Sequence, residues 1–180
     1  MTTNPTEPWT VRPATPDDAE GIETVRIATW KACYRGIVPD DYLDSLAVKS
    51  SRVAGLRTAI ERAEVGGSLV AVAGSRTIGI GYAGPPQDGR LQKGIGEIHA
   101  VYVQPDWQGR GVGRALLERL TSGLRARGYR SAILWTLRDR GATRRFYEAN
   151  GWQVDGAEDS LDLQGPVHLV RYARDLSDQP

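Results

Sequence analysis

Residues 104–114 read QPDWQGRGVGR, with glycines at 109, 111 and 113 inside five positions. Glycine lacks a Cβ and takes positive φ without a clash, so alternating glycines mark a backbone that turns sharply or admits something close. Before them, Glu97-Ile98-His99-Ala100-Val101-Tyr102-Val103 reads as a strand. After them, Val112, Leu116, Leu117, Leu120 and Leu124 trace one face of a helix that should stop at Gly128. A strand, a glycine turn and a helix start together make an anion site. The first N–H groups of a helix have no intrahelical acceptor, and the helix dipole adds roughly half a positive charge there. Arg110 and Arg114 can add side-chain charge at the rim.

Two common phosphate loops disagree with the stretch. No Gly-Lys-Ser/Thr occurs in the chain, which removes the GxxxxGK[ST] loop. The dinucleotide fingerprint GxGxxG needs its third glycine at 114, where this chain has arginine, and it belongs to an early βα unit rather than one past mid-chain.

Outward from the glycines, the pattern predicts a strand at about Thr10–Pro13 and a helix capped by Thr15 with Pro16 at its first position, running to about Cys33. A short turn opens at Pro39-Asp40-Asp41, and Val53, Leu56, Ile60 and Ala63 mark a further amphipathic helix. SLVAVAG and TIGIGYAG, joined at Gly74-Ser75, read as a hairpin. SAILWTL is a strand, ATRRFYEAN a short helix ending at Asn150-Gly151, and two antiparallel strands flank Gly165-Pro166. The order β, two or three α, three β, α, β, α, two β implies an α/β mixed sheet with helices on both faces. We expect one domain over residues 9–176, with tails at 1–8 and 177–180.

The bulk composition excludes more than it selects. With 40% hydrophobic and 25% charged residues in a 180-residue chain, a full core is expected. A formal net charge of +1 gives no reason to expect a nucleic-acid or membrane partner. One cysteine (Cys33) and two histidines (His99, His168) offer neither a disulfide framework nor a metal cage, so no metal is expected. The N-terminus has no basic n-region or apolar h-region, which fits a cytoplasmic protein. Cys33 on its helix reads as a buried small hydrophobe rather than a nucleophile. Trp30, Tyr34 and Tyr42 are candidate pocket aromatics, with core packing the better reading for at least Trp30.

Gln108-Gly109-Arg110-Gly111-Val112-Gly113 matches Q/R-x-x-G-x-G/A, the pyrophosphate loop of the GNAT acetyltransferase superfamily. LRDRGATRRFYEANGW resembles that family's second signature, a short helix bearing Phe-Tyr and ending in Gly-aromatic, and TWKACYRGIVPDDYLDSL resembles the paired N-terminal helices of small bacterial members. The resemblance implies an acyl-CoA N-acyltransferase fold whose fourth and fifth strands splay into a V-shaped slot. It implies acetyl-CoA as co-substrate, with the backbone of Val101, Tyr102 and Val103 pairing to its pantetheine arm. The loop Gln108, Gly109, Arg110, Gly111, Val112, Gly113 and Arg114 would hold the pyrophosphate. The reaction implied is direct attack of a primary amine, on a small molecule or peptide, within a ternary complex.

Two proton transfers then need residues. Glu97, at the strand start, is the candidate base, and alternation would put Glu97, His99, Val101 and Val103 on one face. His99 is a weaker rival. Tyr147, in the Phe-Tyr pair, is the candidate acid for the leaving sulfur. Members of the family commonly have asparagine seven residues before this tyrosine; here that position is Arg140, to which no role is carried over. A non-catalytic acetyl-CoA sensor or interaction module is the alternative, and a nucleotide-binding oxidoreductase-like domain a third. The acceptor's identity is not readable, and the resemblance leaves monomer and homodimer both open.

Overall fold

The computed structural model describes residues 7–62, 67–89, 91 and 93–177. Most of the two expected tails, and Ala63 of the third predicted helix, lie outside the described residues.

The chain runs β1 (Trp9–Pro13), α1 (Ala19–Cys33), α2 (Asp40–Ser45), α3 (Ser50–Glu61), β2 (Leu69–Ala73), β3 (Arg76–Gly84) and β4 (Ile95–Val103). It continues through α4 (Val112–Ala126), β5 (Ser131–Leu137), α5 (Gly141–Ala149), β6 (Gln153–Asp162) and β7 (Pro166–Asp175). This is the order expected from the sequence. Among the described residues the strands make one seven-stranded sheet ordered β1-β2-β3-β4-β5-β7-β6. Every pairing is antiparallel except β4 with β5.

Two details of the first half differ from expectation. Pro16–Asp18 forms a 3-10 turn before α1 begins at Ala19. Its cause is local: the Asp18 carboxylate accepts the Thr15 backbone N–H at 2.7 Å and its hydroxyl at 2.9 Å, while Arg12 donates to both its oxygens. α3 buries no residue fully, so it lies on the surface, tied to α1 where Arg52 donates to the buried Glu23 at 2.9 Å. Burial alone would raise the Glu23 carboxyl, but hydrogen bonds from Arg26 and Arg52 outweigh it and hold the group below the usual carboxylate range.

α4 carries the main core. Leu116, Leu117, Leu120 and Leu124 are each at most 3% exposed, and burying a leucine side chain contributes about 1.5–3 kcal/mol. The helix lies directly on β3 because Gly81 offers no side chain; a Cβ there would stand 2.7 Å from Leu120 Cδ1. α1 packs on the opposite face, where Val25 meets Val70 and Ile80. Helices therefore cover both faces, as the pattern required.

The parallel pair sets up everything that follows. β4 and β5 pair only from Ile95↔Ser131 to Ile98↔Leu134. Beyond that point β5 stays paired with β7, up to Leu137↔Leu169, while β4 stays paired with β3, up to Val103↔Gly79. The two strands part, and the sheet opens into the slot the resemblance implied. Among the described residues no helix is long and apolar enough to cross a membrane.

Candidate active site

A cavity of about 820 Å³ fills the slot and continues beneath it. That is within the ordinary range for a small-molecule or cofactor site. One end lies against the β4 terminus and the α4 start, and the other against α1, the β3–β4 loop and the β6–β7 hairpin.

At the first end the chain presents backbone. Gly109 and Gly111 take φ of 74° and 81°, and Gly111 is the residue that caps α4 in the left-handed conformation. The helix ladder begins with Ala115 N–H donating to Gly111 C=O, so the amides of the first turn are left with no helical acceptor. Gly113 sits over Phe146 and Val103, with space for a Cβ only at ordinary contact distance. Val112 is buried in the core, so only its backbone can serve a ligand. Arg114 is exposed and paired with Glu118 at 2.8 Å. Arg110 stacks on Trp107, 4.9 Å from the ring centre, rather than lining the cavity.

The strand edge is more selective than the sequence suggested. Gln104 N–H donates to Ile78 C=O, so antiparallel alternation turns Tyr102 toward β3 and turns the backbone of Val101 and Val103 into the slot. Of the three residues expected to pair with a ligand strand, Tyr102 is thus committed to the sheet. The Val103 carbonyl is already taken as well: Thr29 Oγ1 and Gln108 Nε2 each donate to it at 3.1 Å. The Gln108 side chain splints the end of β4, and the residue lines the cavity.

The second end is made of side chains. Glu97 is 5% exposed, and its Oε2 accepts the Gln87 backbone N–H at 2.8 Å. The expected face-sharing of Glu97, His99, Val101 and Val103 holds for Glu97 with His99 but not across to Val101 and Val103. Ile98 pairs with Ala83 and Ala100 with Tyr82, so His99 is an extra residue, a bulge that flips the phase of the strand. Val101 packs with the α4 leucines, whereas His99 stacks on Tyr82 at 5.5 Å and Glu97 stays beside it. Nothing in the sequence of β4 announces this bulge.

Tyr147 of α5 also lines the cavity. It is 7% exposed and held edge-on by Phe146 and Trp152. Burial, with Tyr102 nearby, pushes its hydroxyl well above the ordinary phenol range, so it stays protonated. Phe146 is half-buried and also lines the cavity. The phenols of Tyr34 and Tyr102 are hydrogen-bond partners, and burial raises both.

Other residues also line the site. Cys33 is half-buried on the cavity wall rather than in the core, with Gln108 Nε2 3.5 Å from its sulfur. Trp30 is half-buried and lines the cavity with Tyr34, while Tyr42 packs behind it. Trp135 of β5 and Leu161 of β6 complete the wall. Arg140 precedes α5, donates to the Cys33 carbonyl at the end of α1, and lies 6.0 Å from the Tyr34 ring centre. It bridges the two sides of the cavity and satisfies a carbonyl that α1 leaves without a helical donor.

A fold of this kind, split between its fourth and fifth strands over a glycine-capped helix, defines a class that sequence comparison names directly. Residues 27–152 match the model of the acetyltransferase (GNAT) family. The chain belongs to that family and is an N-acetyltransferase. Relatives include the uncharacterized N-acetyltransferase YuaI of Bacillus subtilis, 30% identical over 87% of this chain and 86% of that one. An aminoglycoside N(6')-acetyltransferase type 1 of Stenotrophomonas maltophilia is 32% identical over 67% of this chain and 71% of its own. In structure, the PaiA N-acetyltransferase of Thermoplasma acidophilum, solved with coenzyme A, superposes with a TM-score of 0.72 at 22% identity, covering 91% of this chain and 98% of its own. YncA of Salmonella typhimurium, solved with its cofactor acetyl-CoA, gives 0.69 at 23% identity over 95% of each chain.

Proposed function

We propose that the chain transfers the acetyl group of acetyl-CoA directly to a primary amine of a small molecule or peptide, both substrates being bound together. The observation that carries this reading is a single continuous cavity with a backbone-lined end and a side-chain-lined end, and the buried phenol of Tyr147 in its wall.

The residues present fit the donor. The open backbone of Val101 and the N–H of Val103 suit an extended amide-bearing arm, and the amides from Gly109 to Arg114 suit a pyrophosphate. A ligand strand here would restore the pairing that β4 loses beyond Ile98. Tyr147 donates to the sulfur as the C–S bond breaks. Because burial favours the neutral phenol, it works chiefly as a strong hydrogen-bond donor to the developing thiolate, and regains any proton it gives from solvent. Glu97 supplies the basic end of the proton path, since an amine is mostly protonated at neutral pH and must lose that charge before it attacks. Direct transfer needs no acyl-enzyme, and Cys33 is not used.

The test is coenzyme A release from acetyl-CoA across polyamines, aminoglycosides, amino-acid amides and peptides with free N-termini. Saturable release with one class supports the reading. Tight acetyl-CoA binding with no release above background for any class points to the sensor module instead.

A further inference from the structure

Where the bulge turns Val101 and Val103 away, Glu97 and His99 are left together as a pair. Glu97 is tied at Oε2 by the Gln87 amide, and its other oxygen, Oε1, lies 3.4 Å from His99 Nδ1. The imidazole is held flat against Tyr82, with 26° between the ring planes. Both side chains are nearly buried, at 7% and 12% exposure. Nδ1 has no solvent contact and makes no aligned hydrogen bond among the described residues. With Nδ1 turned to the carboxylate, Nε2 on the far edge of the ring is the nitrogen left for the cavity that both residues line.

We propose that His99 Nε2 is the base that takes the amine proton, and that Glu97 is a positioning residue acting through it. This rests on the transferase reading above and replaces a direct role for Glu97. As the N–C bond forms to the acetyl carbonyl, the C–S bond breaks and its electron pair leaves on sulfur. The amine proton passes to Nε2, and Tyr147 serves the sulfur. The imidazolium formed is matched by the Glu97 carboxylate at Nδ1 and later returns its proton to solvent. An imidazole suits this task better than a carboxylate, because its ordinary titration range lies between those of carboxylates and amines. Without a bulge, His99 would continue the regular alternation of the strand. Glu97, two positions back, shares the face of His99 in any case; what the extra residue changes is that Val101 and Val103 turn to the other face, leaving the ring on Tyr82 of β3.

The charged and titratable groups around the pair come from several elements. Tyr82 stands on β3, with Arg26 of α1 and Arg52 of α3 acting on it from the same side. Asp88 of the β3–β4 loop and Asp159 of β6 line the shared cavity, as does Tyr34 from the end of α1.

Two measurements decide the proposal. Nitrogen-15 NMR of histidine-labelled protein needs no acceptor, and exposed His168 serves as the reference ring. A neutral His99 protonated at Nδ1 is expected; protonation at Nε2 overturns the proposal. In kinetics with the best amine from the release screen, His99→Gln should lower kcat/KM by about 10²-fold and abolish the acidic limb of its pH profile. Acetyl-CoA affinity should stay intact, and added imidazole should partly restore His99→Ala. Glu97→Gln should cost less than His99→Gln, and the double variant should be no worse than His99→Gln alone. If His99→Gln keeps the native rate and pH profile while Glu97→Gln is inactive, Glu97 acts without the ring and the proposal is wrong. A protein inert toward every amine sinks the transferase reading, while an Nδ1–H tautomer would still support the pair.

Discussion

On the reading proposed above, ligand contacts at the α4 end of the cavity come from peptide groups: the αL turn at Gly109 and Gly111, the first amides of α4, and the slot-facing edge of Val101 and Val103. At the other end they are offered by side chains drawn from α1, the β3–β4 loop, β4, β5 and the β6–β7 hairpin. Specificity then resides at the end built of side chains. Peptide groups are the same whatever the residue, so the donor end tolerates any side chain that preserves φ and ψ. The acceptor end changes character with each substitution. One ligand can therefore be shared by many relatives while the other differs among them.

The largest test of this contrast falls on the phenol in the cavity wall. Tyr147→Phe removes one hydroxyl from a buried ring whose packing against Phe146 and Trp152 should survive. We expect kcat to fall about 10²-fold, with the acetyl-CoA Kd and the acceptor KM nearly unchanged. Full activity in this variant would remove the phenol from the mechanism. Gly111→Val attacks the donor end alone. A β-branched residue at φ 81° pays a strain of about 1–2 kcal/mol or more, which should weaken acetyl-CoA binding roughly tenfold by calorimetry. If acceptor KM moves as much as donor Kd, the two ends are not separable. Trp135→Ala addresses the acceptor end, where the ring lines the cavity beneath Arg171. A several-fold rise in acceptor KM with unchanged donor Kd is expected, and the reverse pattern would misassign the wall.

The fold and the elements that frame the slot were largely legible because their signals are local. The glycine turn, the leucine face of α4 and the Phe-Tyr helix each occupy one short stretch, and each stands where the pattern put it. What escaped were relations between stretches. The His99 bulge depends on how β3 and β4 pair, and no propensity of Glu97-Ile98-His99 reveals it. The splint made by Gln108 could not be read, because its distances to Val103 C=O and Cys33 Sγ exist only after the strand and α1 have packed. Arg140 is similar: an arginine before a helix says nothing of a carbonyl at the end of α1. Trp30 and Cys33 follow helical spacing, and spacing alone does not say that the neighbouring surface is a cavity.

The parting of β4 from β5 has a signature in time as well as in space. Along one strand, Tyr102 has its amide locked to β3 while those of Val101 and Val103 face open space. In the free protein, deuterium should enter at 101 and 103 far sooner than at 102, a two-residue rhythm of exchange inside an otherwise continuous sheet. Saturating acetyl-CoA should slow 101 and 103 and erase that rhythm, leaving 102 where it was. The strand would then report, amide by amide, whether its absent neighbour has arrived.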